Sequence, residues 1–344
     1  MLDLLSVPQQ RRESIERLAQ QLRAGRSVAL STHINADGDG CGSETALARL
    51  LAQMGIRSRI VNPTPWPEMY KFLLGKDVRD ASDQGAKALK DADVLVVLDI
   101  SDVKRLGVLA EAVRQLKIPK LVIDHHLPSD EPPSTLMVAD TTACATGELI
   151  YDFASCLGLE ITPDISRALY VALLTDTGGF RFSNTTARCL SIAGQLIASG
   201  VEPEEMYGRL YASMPVGRLH LLRDALATLE VDPEYGISWI SVAAGAAEEY
   251  GLKSEDLEGI AEHPRSIGGT RLALFFRDLG HDRVKVSFRS TGTVDVNKFA
   301  KQFGGGGHAR AAGALIEGSL DYVRHEVVQA AREFLQQEDK EGVA

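Results

Sequence analysis

The feature that most restricts the fold of this chain is a series of short apolar runs, each followed directly by acidic or histidine side chains. The run 121–123 leads into Asp124-His125-His126, and the run 94–98 leads into Asp99. The segment 27–31 precedes a stretch, 33–40, that holds one histidine and two aspartates. Continuous apolar runs of this length are typical of strands that are buried on both faces.

Segments with helical spacing of apolar residues lie between these predicted strands. We expect helices at 14–23, 42–54, 142–157 and 163–174. Alternating strands and helices predict an α/β fold in which a mostly parallel sheet carries helices on both faces. Ligands on such sheets gather beyond the carboxyl ends of the strands. We therefore expect the polar side chains that follow the strands to meet at one edge.

The sequence changes in character after residue 236, where a second set of elements begins. Strands are predicted at 237–242, 270–277 and 283–290, with helices at 296–303 and 320–336. These elements predict a second, smaller α/β domain. The expected organisation is a first domain over 1–190, a helical connector over 191–230, and a second domain over 231–344. The active site would then lie in a cleft between the two domains.

Charge limits the class of partner. The 344-residue chain has a net charge of −10, which argues against a protein that coats long nucleic acid, because such binding needs many Lys and Arg contacts with phosphates. Residues 262–313 nevertheless hold nine Lys and Arg against four Asp and Glu. This basic region suits a small phosphorylated ligand, and a solvated charged surface is the alternative interpretation.

The expected cellular location follows from the apolar runs, from residues 1–21 and from the cysteines. No apolar run approaches the ~18 residues of a membrane span, and residues 1–21 do not have the pattern of a secretory signal. The four cysteines show no C-x-x-C pairing or disulfide-like spacing. Reduced thiols and a cytoplasmic location are expected.

Four acidic sites end apolar runs and together indicate a metal centre. They are Asp37 with Asp39, then Asp99, Asp124, and Asp176-Thr177-Gly178. Carboxylates and imidazoles suit Mn²⁺, Mg²⁺ or Zn²⁺, and the lack of cysteine weakens the case for a structural zinc site. A carboxylate such as Asp99 can bridge two ions about 3.5–4 Å apart, and such a pair can polarise a phosphoryl group.

Each of these residues also has a structural explanation when it is taken alone. His33 could be a hydrogen-bonded structural histidine, and Asp37 and Asp39 could be turn residues or helix N-caps. Asp99 could cap the following helix, and residues 176–179 could form a turn. The convergence of four acidic sites, two of them with histidines, favours the metal centre.

These motifs resemble those of the DHH phosphoesterases. The match covers the first ~190 residues, with His33-x-x-x-Asp37-Gly38-Asp39-Gly40, Asp99, Asp124-His125-His126 and Asp176-Thr177-Gly178 in order. The resemblance implies a centre of two divalent ions, with Mn²⁺ expected and Mg²⁺ or Co²⁺ also accepted by such ligands. It implies that one ion is held by His33, Asp37 and Asp99, and the other by Asp39, Asp99, His125 and Asp176. Asp124 would orient a histidine ligand, and His126 would face the substrate phosphate or support the leaving group.

The run Gly304-Gly305-Gly306-Gly307-His308 is the second motif of interest. Successive glycines can turn backbone N–H groups toward an anion, although a flexible loop is the alternative. The run is not a P-loop, because no Lys-Ser or Lys-Thr follows it. With 287–290 and 295–297, it resembles the DHH-associated C-terminal domain. That resemblance implies substrate contacts from these residues: Arg289, His308, Gly305, Gly306, Gly307, Asn297 and Arg265.

Four phenylalanines near this motif, Phe275, Phe276, Phe288 and Phe303, are candidates for stacking on a base. Their positions in apolar strand and helix patterns favour a place in the core instead.

The resemblance is greatest to the nanoRNase and pAp phosphatase group of the family. It implies hydrolysis of very short RNA to mononucleotides, and removal of the 3′-phosphate of 3′-phosphoadenosine 5′-phosphate (pAp). It also implies a homodimer. One alternative is a phosphodiesterase acting on cyclic or linear dinucleotides, of the c-di-AMP or pApA type. An alternative of another class is a non-catalytic nucleotide sensor, which the complete set of candidate ligands disfavours.

Overall fold

The chain divides into two units, Met1–Ala212 and Ser213–Ala344. The computed structural model describes residues 4–22, 26–212, 215–257, 259–307 and 309–341. The division falls within the predicted connector, 191–230. Within these described ranges, no helix has both the length and the apolar character that crossing a membrane would require.

A parallel sheet of five strands forms the centre of the first unit. Its strand order is β2-β1-β3-β4-β5, and every neighbouring pair is parallel. The strands are β1 (Ser27–Ser31), β2 (Arg57–Ile60), β3 (Val94–Leu98), β4 (Lys120–Asp124) and β5 (Met137–Ala139).

The central strand β3 shows why this sheet is buried on both faces. All five of its residues are buried. Val94, Val96 and Leu98 belong to one hydrophobic cluster, whereas Leu95 and Val97 belong to another. Because successive side chains of a strand point to opposite faces, the two clusters lie on the two sides of the sheet. The predicted α/β fold with a covered parallel sheet is confirmed.

Helices surround this sheet. The α-helices of the first unit are α1 (Gln9–Ala19), α2 (Gly38–Gln53), α3 (Lys71–Leu74), α4 (Ala110–Gln115), α5 (Thr146–Leu157), α6 (Pro163–Asp176), α7 (Ala187–Ala198) and α8 (Pro203–Tyr211). Short 3₁₀ helices cover Glu68–Tyr70, Ser82–Leu89 and Val103–Leu109.

Three helices predicted in this unit have wrong boundaries. The helix predicted at 14–23 begins at Gln9 and ends at Ala19, and Arg23 lies outside the described residues. The helix predicted from residue 42 begins at Gly38, because the side chain of Asp37 accepts hydrogen bonds from its first turn. The helix predicted from residue 142 begins only at Thr146.

The second unit is built on a mixed sheet of six strands in the order β10-β11-β9-β8-β7-β6. β7 and β8 are parallel, and the other pairs are antiparallel. The strands are β6 (Glu230–Asp232), β7 (Ile237–Val242), β8 (Leu272–Asp278), β9 (Arg283–Ser290), β10 (Gly306–Gly307) and β11 (Ala311–Glu317). The helices are α9 (Val216–Ala227), α10 (Ala246–Glu249), α11 (Glu262–Arg265), α12 (Val296–Lys301) and α13 (Leu320–Glu341), with a 3₁₀ helix at Ser254–Leu257.

The phenylalanines of this unit belong to its interior. Phe276 and Phe288 are completely buried and Phe275 is 5% exposed. Phe303 packs against the same cluster and stacks on Phe288 with ring centroids 6.2 Å apart. The core interpretation of these side chains is therefore correct, and no stacking role remains for the three buried ones.

Candidate metal centre

Three parallel strands deliver the candidate ligands to one edge of the first sheet. β1 is followed by His33, β3 by Asp99, and β4 by His125 and His126. Asp99 adopts a φ of 61°, in the left-handed region that a non-glycine residue rarely occupies. Backbone strain of this kind is often found at functional sites.

Two helices that pack against each other supply the remaining carboxylates. Asp37 is the N-cap of α2, and Asp39 lies in the first turn of that helix. Asp176 is the last residue of α6. One oxygen of Asp37 accepts hydrogen bonds from the backbone N–H groups of Asp39 and Gly40, both at 3.0 Å. The capping role and a ligand role are compatible, because the other oxygen of Asp37 faces His33.

A first group of ligand-type atoms surrounds His33. Its Nε2 atom lies 3.6 Å from Oδ2 of Asp37 and 3.5 Å from Oδ2 of Asp99. These three atoms lie within 4.8 Å of one another. Ligand atoms that share one cation, each about 2.0–2.2 Å from it, have separations of this order.

A second group surrounds His125. Its Nε2 atom lies 3.7 Å from Oδ2 of Asp39, 3.6 Å from Oδ1 of Asp99 and 3.6 Å from Oδ2 of Asp176. Asp39, His125 and Asp176 form one set of mutually close ligand atoms, and Asp99, His125 and His126 form another. Asp99 therefore directs one oxygen toward His33 and the other toward His125, as a bridging carboxylate would.

The two histidines present a free ring nitrogen to these carboxylates. Nε2 of His33 and Nε2 of His125 are buried and have no hydrogen-bond partner among the described residues. On the other side of each ring, Nδ1 faces a backbone carbonyl. Nδ1 of His33 lies 2.8 Å from the carbonyl oxygen of Ile34, and Nδ1 of His125 lies 3.3 Å from the carbonyl oxygen of Ala143. A proton on Nδ1 would donate to the carbonyl and leave Nε2 with a lone pair for a metal.

The electrostatics of the cluster favour positive charge at its centre. Burial raises the pKa of Asp39 well above its usual value, and the charges of Asp99, Asp176 and Asp37 add to this. Burial raises the pKa of Asp176 to about 6. Burial opposes ionisation of Asp99 too, but His33 holds its pKa below the usual range. Burial opposes protonation of His33, yet Asp37 and Asp99 raise its pKa to about 10.

Asp124 and His126 form a pair at the margin of this cluster. Nδ1 of His126 donates to Oδ1 of Asp124 over 2.8 Å, and Asp124 is almost completely buried. Burial opposes protonation of His126, but the bond to Asp124 and the charge of Asp99 raise its pKa. The histidine that Asp124 orients is therefore His126, and Nδ1 of His125 is bonded to the carbonyl of Ala143.

The residues that hold the carboxylates in place were not predicted from the sequence. The N–H groups of Thr146 and Gly147, at the start of α5, donate to the two oxygens of Asp39 over 2.6 and 2.9 Å. The hydroxyl of Thr146 donates to Asp99 over 3.0 Å. Nδ2 of Asn184 lies 3.2 Å from Oδ2 of Asp176. Nothing in the sequence marks Thr146, whose partners are 47 and 107 residues away. Asn184 is not marked either, because it reaches Asp176 only through the fold of the turn that follows α6.

The predicted substrate contacts of the second unit form two local groups. Glu262 joins two arginines, with its oxygens 2.7 Å from Nε of Arg289 and 2.5 Å from Nη2 of Arg265. Oδ1 of Asn297 accepts from the N–H of Gly307 over 3.1 Å. His308 lies outside the described residues.

The glycines of this motif have a packing role of their own. A Cβ at Gly305 would lie 2.2 Å from the carbonyl oxygen of Gly313, and one at Gly307 would lie 2.5 Å from that of Ala311. Only glycine lets this segment approach the backbone of β11 so closely.

Comparison with known proteins places both parts of the chain in one family. Residues 27–173 match the DHH family N-terminal domain, and residues 237–340 match the DHHA1 domain. The bifunctional oligoribonuclease and PAP phosphatase NrnA of Thermus thermophilus is 31% identical, over 94% of this chain and 95% of the relative. The protein of the same name from Bacillus subtilis is 28% identical, over 84% and 89%.

A solved structure agrees with this placement. The crystal structure of an exopolyphosphatase-related protein from Bacteroides fragilis superposes with a TM-score of 0.86 at 25% identity, covering 94% of this chain and 96% of that one. The resemblance stated from the motifs is thus confirmed over both parts of the chain. The chain belongs to the DHH phosphoesterase family, with a DHHA1 domain in its C-terminal part, and is a hydrolase.

Proposed function

We propose that this enzyme is a two-metal phosphoesterase that hydrolyses very short RNA oligomers to mononucleotides and removes the 3′-phosphate of pAp. The observation that carries the proposal is the position of Asp99, whose two oxygens face His33 and His125 in two adjoining ligand groups. The choice of substrate is supported by the Thermus thermophilus and Bacillus subtilis relatives, which are named as oligoribonucleases and PAP phosphatases.

The donor set fits two divalent ions. His33, Asp37 and Asp99 would hold one ion, and Asp39, Asp99, His125 and Asp176 the other. Oxygen and imidazole donors without a thiolate suit Mn²⁺, and also Mg²⁺ or Co²⁺. The unpartnered Nε2 atoms of His33 and His125 support this assignment, because a buried ring nitrogen without a partner is costly. When bound, such a pair of ions supplies Lewis-acid polarisation of the phosphoryl group and activation of water.

His126 has a separate role in this proposal. Asp124 accepts a hydrogen bond from Nδ1 of His126 and so fixes the orientation of the ring. We place the other nitrogen, Nε2, against a phosphate oxygen or the leaving oxygen, where a histidine with a raised pKa can donate a proton. Asp124 then acts on the reaction only through His126.

We propose that the second unit binds the phosphate group of the substrate. Arg289 offers a planar guanidinium that is 24% exposed, and Arg265 lies beside it on the same glutamate. Guanidinium groups bind phosphate through paired, charge-assisted hydrogen bonds. Asn297, the glycines 305–307 and His308 complete the proposed contact set.

We also propose a cytoplasmic location. The structure describes all four cysteines as free thiols, and three of them, Cys41, Cys144 and Cys189, are buried. Free thiols are the usual state of cysteine in a reducing compartment, so this observation supports the proposal.

The substrate can be tested by product analysis. Protein freed of metal with EDTA and resupplied with Mn²⁺ would be offered a 5′-labelled RNA dinucleotide, a much longer RNA oligomer and pAp in parallel. We expect mononucleotides from the dinucleotide, inorganic phosphate from pAp, and much slower loss of the long oligomer. The Asp99→Asn variant, treated in the same way, is the control for a contaminating nuclease.

Two outcomes would contradict the proposal in different ways. Cleavage of the dinucleotide without release of phosphate from pAp would favour a dinucleotide phosphodiesterase. No hydrolysis of any substrate, with Mn²⁺ bound, would favour a non-catalytic nucleotide sensor.

A further inference from the structure

A buried arginine outside the metal centre pairs with three acidic side chains. Arg11, in α1, is only 4% exposed. Its Nε atom lies 2.6 Å from Asp140, and its Nη1 atom lies 2.6 Å from Glu148 and 2.9 Å from Asp152. Its Nη2 atom donates to the hydroxyl of Thr142 over 3.4 Å. One guanidinium thus holds four side chains that span residues 140–152.

A second arginine reaches two of the same acids from another helix. Arg188, in α7, is bonded through Nε to Glu148 over 3.1 Å and through Nη2 to Asp152. Its Nη1 atom donates to the carbonyl oxygens of Leu4 and Ser6 over 2.8 and 2.6 Å. The two arginines and three acids therefore join the N-terminal segment, α5 and α7 in one network.

This network is connected to the metal centre by the backbone of residues 140–148. The second oxygen of Glu148 accepts from the N–H of Cys144 over 3.1 Å. The carbonyl of Cys144 accepts from Asn184 over 2.8 Å, and the same amide contacts Asp176. The carbonyl of Ala143 lies 3.3 Å from Nδ1 of His125.

The end of the same segment reaches two more carboxylates. Thr146 and Gly147 donate to Asp39, and the hydroxyl of Thr146 donates to Asp99. Four proposed metal ligands are thus tied by hydrogen bonds to one short stretch of chain. Asp39 and Asp99 accept from it, His125 contacts its carbonyl oxygen at Ala143, and Asp176 is linked to it through Asn184.

The geometry points to a function in orientation. A buried ion network gives little net stability, because the desolvation of its charges offsets their attraction, but its bonds are strongly directional. We propose that Arg11 and Arg188 are positioning residues, which fix the segment 140–148 and so set the affinity of the centre for divalent metal. The proposal rests on the metal-binding part of the proposed function and is independent of which phosphoester is cleaved.

Conservative variants test this role while keeping the buried positive charge. In Arg11→Lys and Arg188→Lys, a single ammonium replaces the planar fork and cannot reach all of the acids at once. Arg49→Lys is the matched control. Arg49 is also an arginine of the first unit, with a side chain only 10% exposed, and it pairs with Asp77 at 2.7 Å and with the carbonyl of Leu73 at 2.9 Å. In the part of the chain that the structure describes, no hydrogen bond or ion pair joins Asp77 to the proposed ligands.

Two measurements on metal-free protein separate positioning from simple stabilisation. Calorimetric titration with Mn²⁺ gives the affinity, and amide hydrogen exchange gives the protection of residues 140–148. We expect Arg11→Lys and Arg188→Lys to weaken Mn²⁺ binding about tenfold, as loss of the groups behind metal ligands commonly does. We also expect faster exchange over 140–148. Arg49→Lys should change neither, whatever it does to the melting temperature.

Wild-type Mn²⁺ affinity and wild-type protection of 140–148 in a folded Arg11→Lys or Arg188→Lys variant would overturn the proposal. If Arg11→Lys does not fold, Arg188→Lys, whose side chain is 15% exposed, carries the test alone. If the wild-type protein binds Mn²⁺ but hydrolyses no phosphoester, the proposed function fails while this inference is still decided by the two binding measurements.

Discussion

The hydroxyl of Thr146 donates a hydrogen bond of 3.0 Å to Oδ1 of Asp99, across 47 residues of sequence. Thr146 is completely buried and begins α5, whereas Asp99 directly follows β3. This bond fixes the oxygen of Asp99 that lies nearer His125. Asp99, which the sequence predicts to lie between the two ions, is therefore held by Thr146, which could not be predicted from the sequence.

Replacing this hydroxyl should weaken the metal centre without removing a ligand. We expect Thr146→Val to lower Mn²⁺ affinity or phosphoester hydrolysis by about 10–100-fold, because Asp99 loses the group that orients it. Thr146→Ser keeps the hydroxyl and should stay within a few-fold of wild type. Mn²⁺ titration and steady-state kinetics of both variants check this prediction, and equal behaviour of valine and serine would contradict it.

Removing the carboxylate of Asp99 should be far more damaging. The charge stabilisation supplied by a metal pair is worth several kcal/mol, so we expect Asp99→Asn to lower kcat roughly a thousandfold or more. The fold should persist, because Asp99 follows β3 at the edge of the sheet and lies outside the hydrophobic clusters that pack on the two faces. Asp91→Asn, at an exposed position, is the control. Circular dichroism and phosphate release are the measurements, and an active Asp99→Asn enzyme would exclude the bridging role.

The contact between α2 and α6 predicts a large effect of one methyl group. A Cβ at Gly42 would lie 2.4 Å from the carbonyl oxygen of Ala168 and 3.0 Å from Cβ of Ala172. Overpacking of this kind usually destabilises by about 1–3 kcal/mol. Gly194→Ala, in α7, meets nothing within 4 Å and should instead stabilise by about 0.5–1 kcal/mol.

Urea unfolding of these two glycine variants can be followed in the first unit alone. The chain has two tryptophans; Trp66 packs in the core of the first unit and Trp239 in the second. In a Trp239→Phe background, fluorescence reports only the unit that contains Gly42. Equal midpoints for Gly42→Ala and Gly194→Ala would show that the helix contact is more adaptable than the structure indicates.

Arg289 should affect the binding of substrate and not that of metal. A charge-assisted hydrogen bond contributes about 1.5–3 kcal/mol, so we expect Arg289→Ala to raise KM by roughly 10–100-fold with Mn²⁺ affinity unchanged. Arg271→Ala is a fair control, since Arg271 also pairs with an acid of the second unit, Asp339, at 2.6 Å. An unchanged KM in Arg289→Ala would remove this residue from the proposed contacts.

The elements that could be predicted from the sequence are those whose own residues decide them. β3 is predicted over its full range, Val94–Leu98, because an uninterrupted apolar run is buried on both faces wherever it lies in a sheet. The start of α2 is predicted too late, since its glycines disfavour helix locally. Those glycines are needed because α2 packs closely against α6. A Cβ at Gly38 would collide with Thr175, and a Cβ at Gly42 would collide with the backbone of Ala168.

The unpredicted elements depend on neighbours that are distant in sequence. β11 begins with Ala-Ala-Gly-Ala, which shows no alternation, yet it pairs with β9 along all seven of its residues. Thr146 and Asn184 are ordinary polar residues until α5 brings Thr146 to Asp99 and the turn between α6 and α7 brings Asn184 to Asp176. The acids and histidines of the candidate centre were recognisable because strand ends converge in any parallel sheet, whereas their supporting bonds were not.

The central claim is that the two ligand groups around His33 and His125 hold two cations. Anomalous diffraction from a crystal grown with Mn²⁺ and measured at the manganese absorption edge tests it most directly. The structure predicts two peaks about 3.5–4 Å apart, one beside His33, Asp37 and Asp99 and the other beside Asp39, His125 and Asp176. A single peak, or peaks away from Asp99, would contradict the two-metal account.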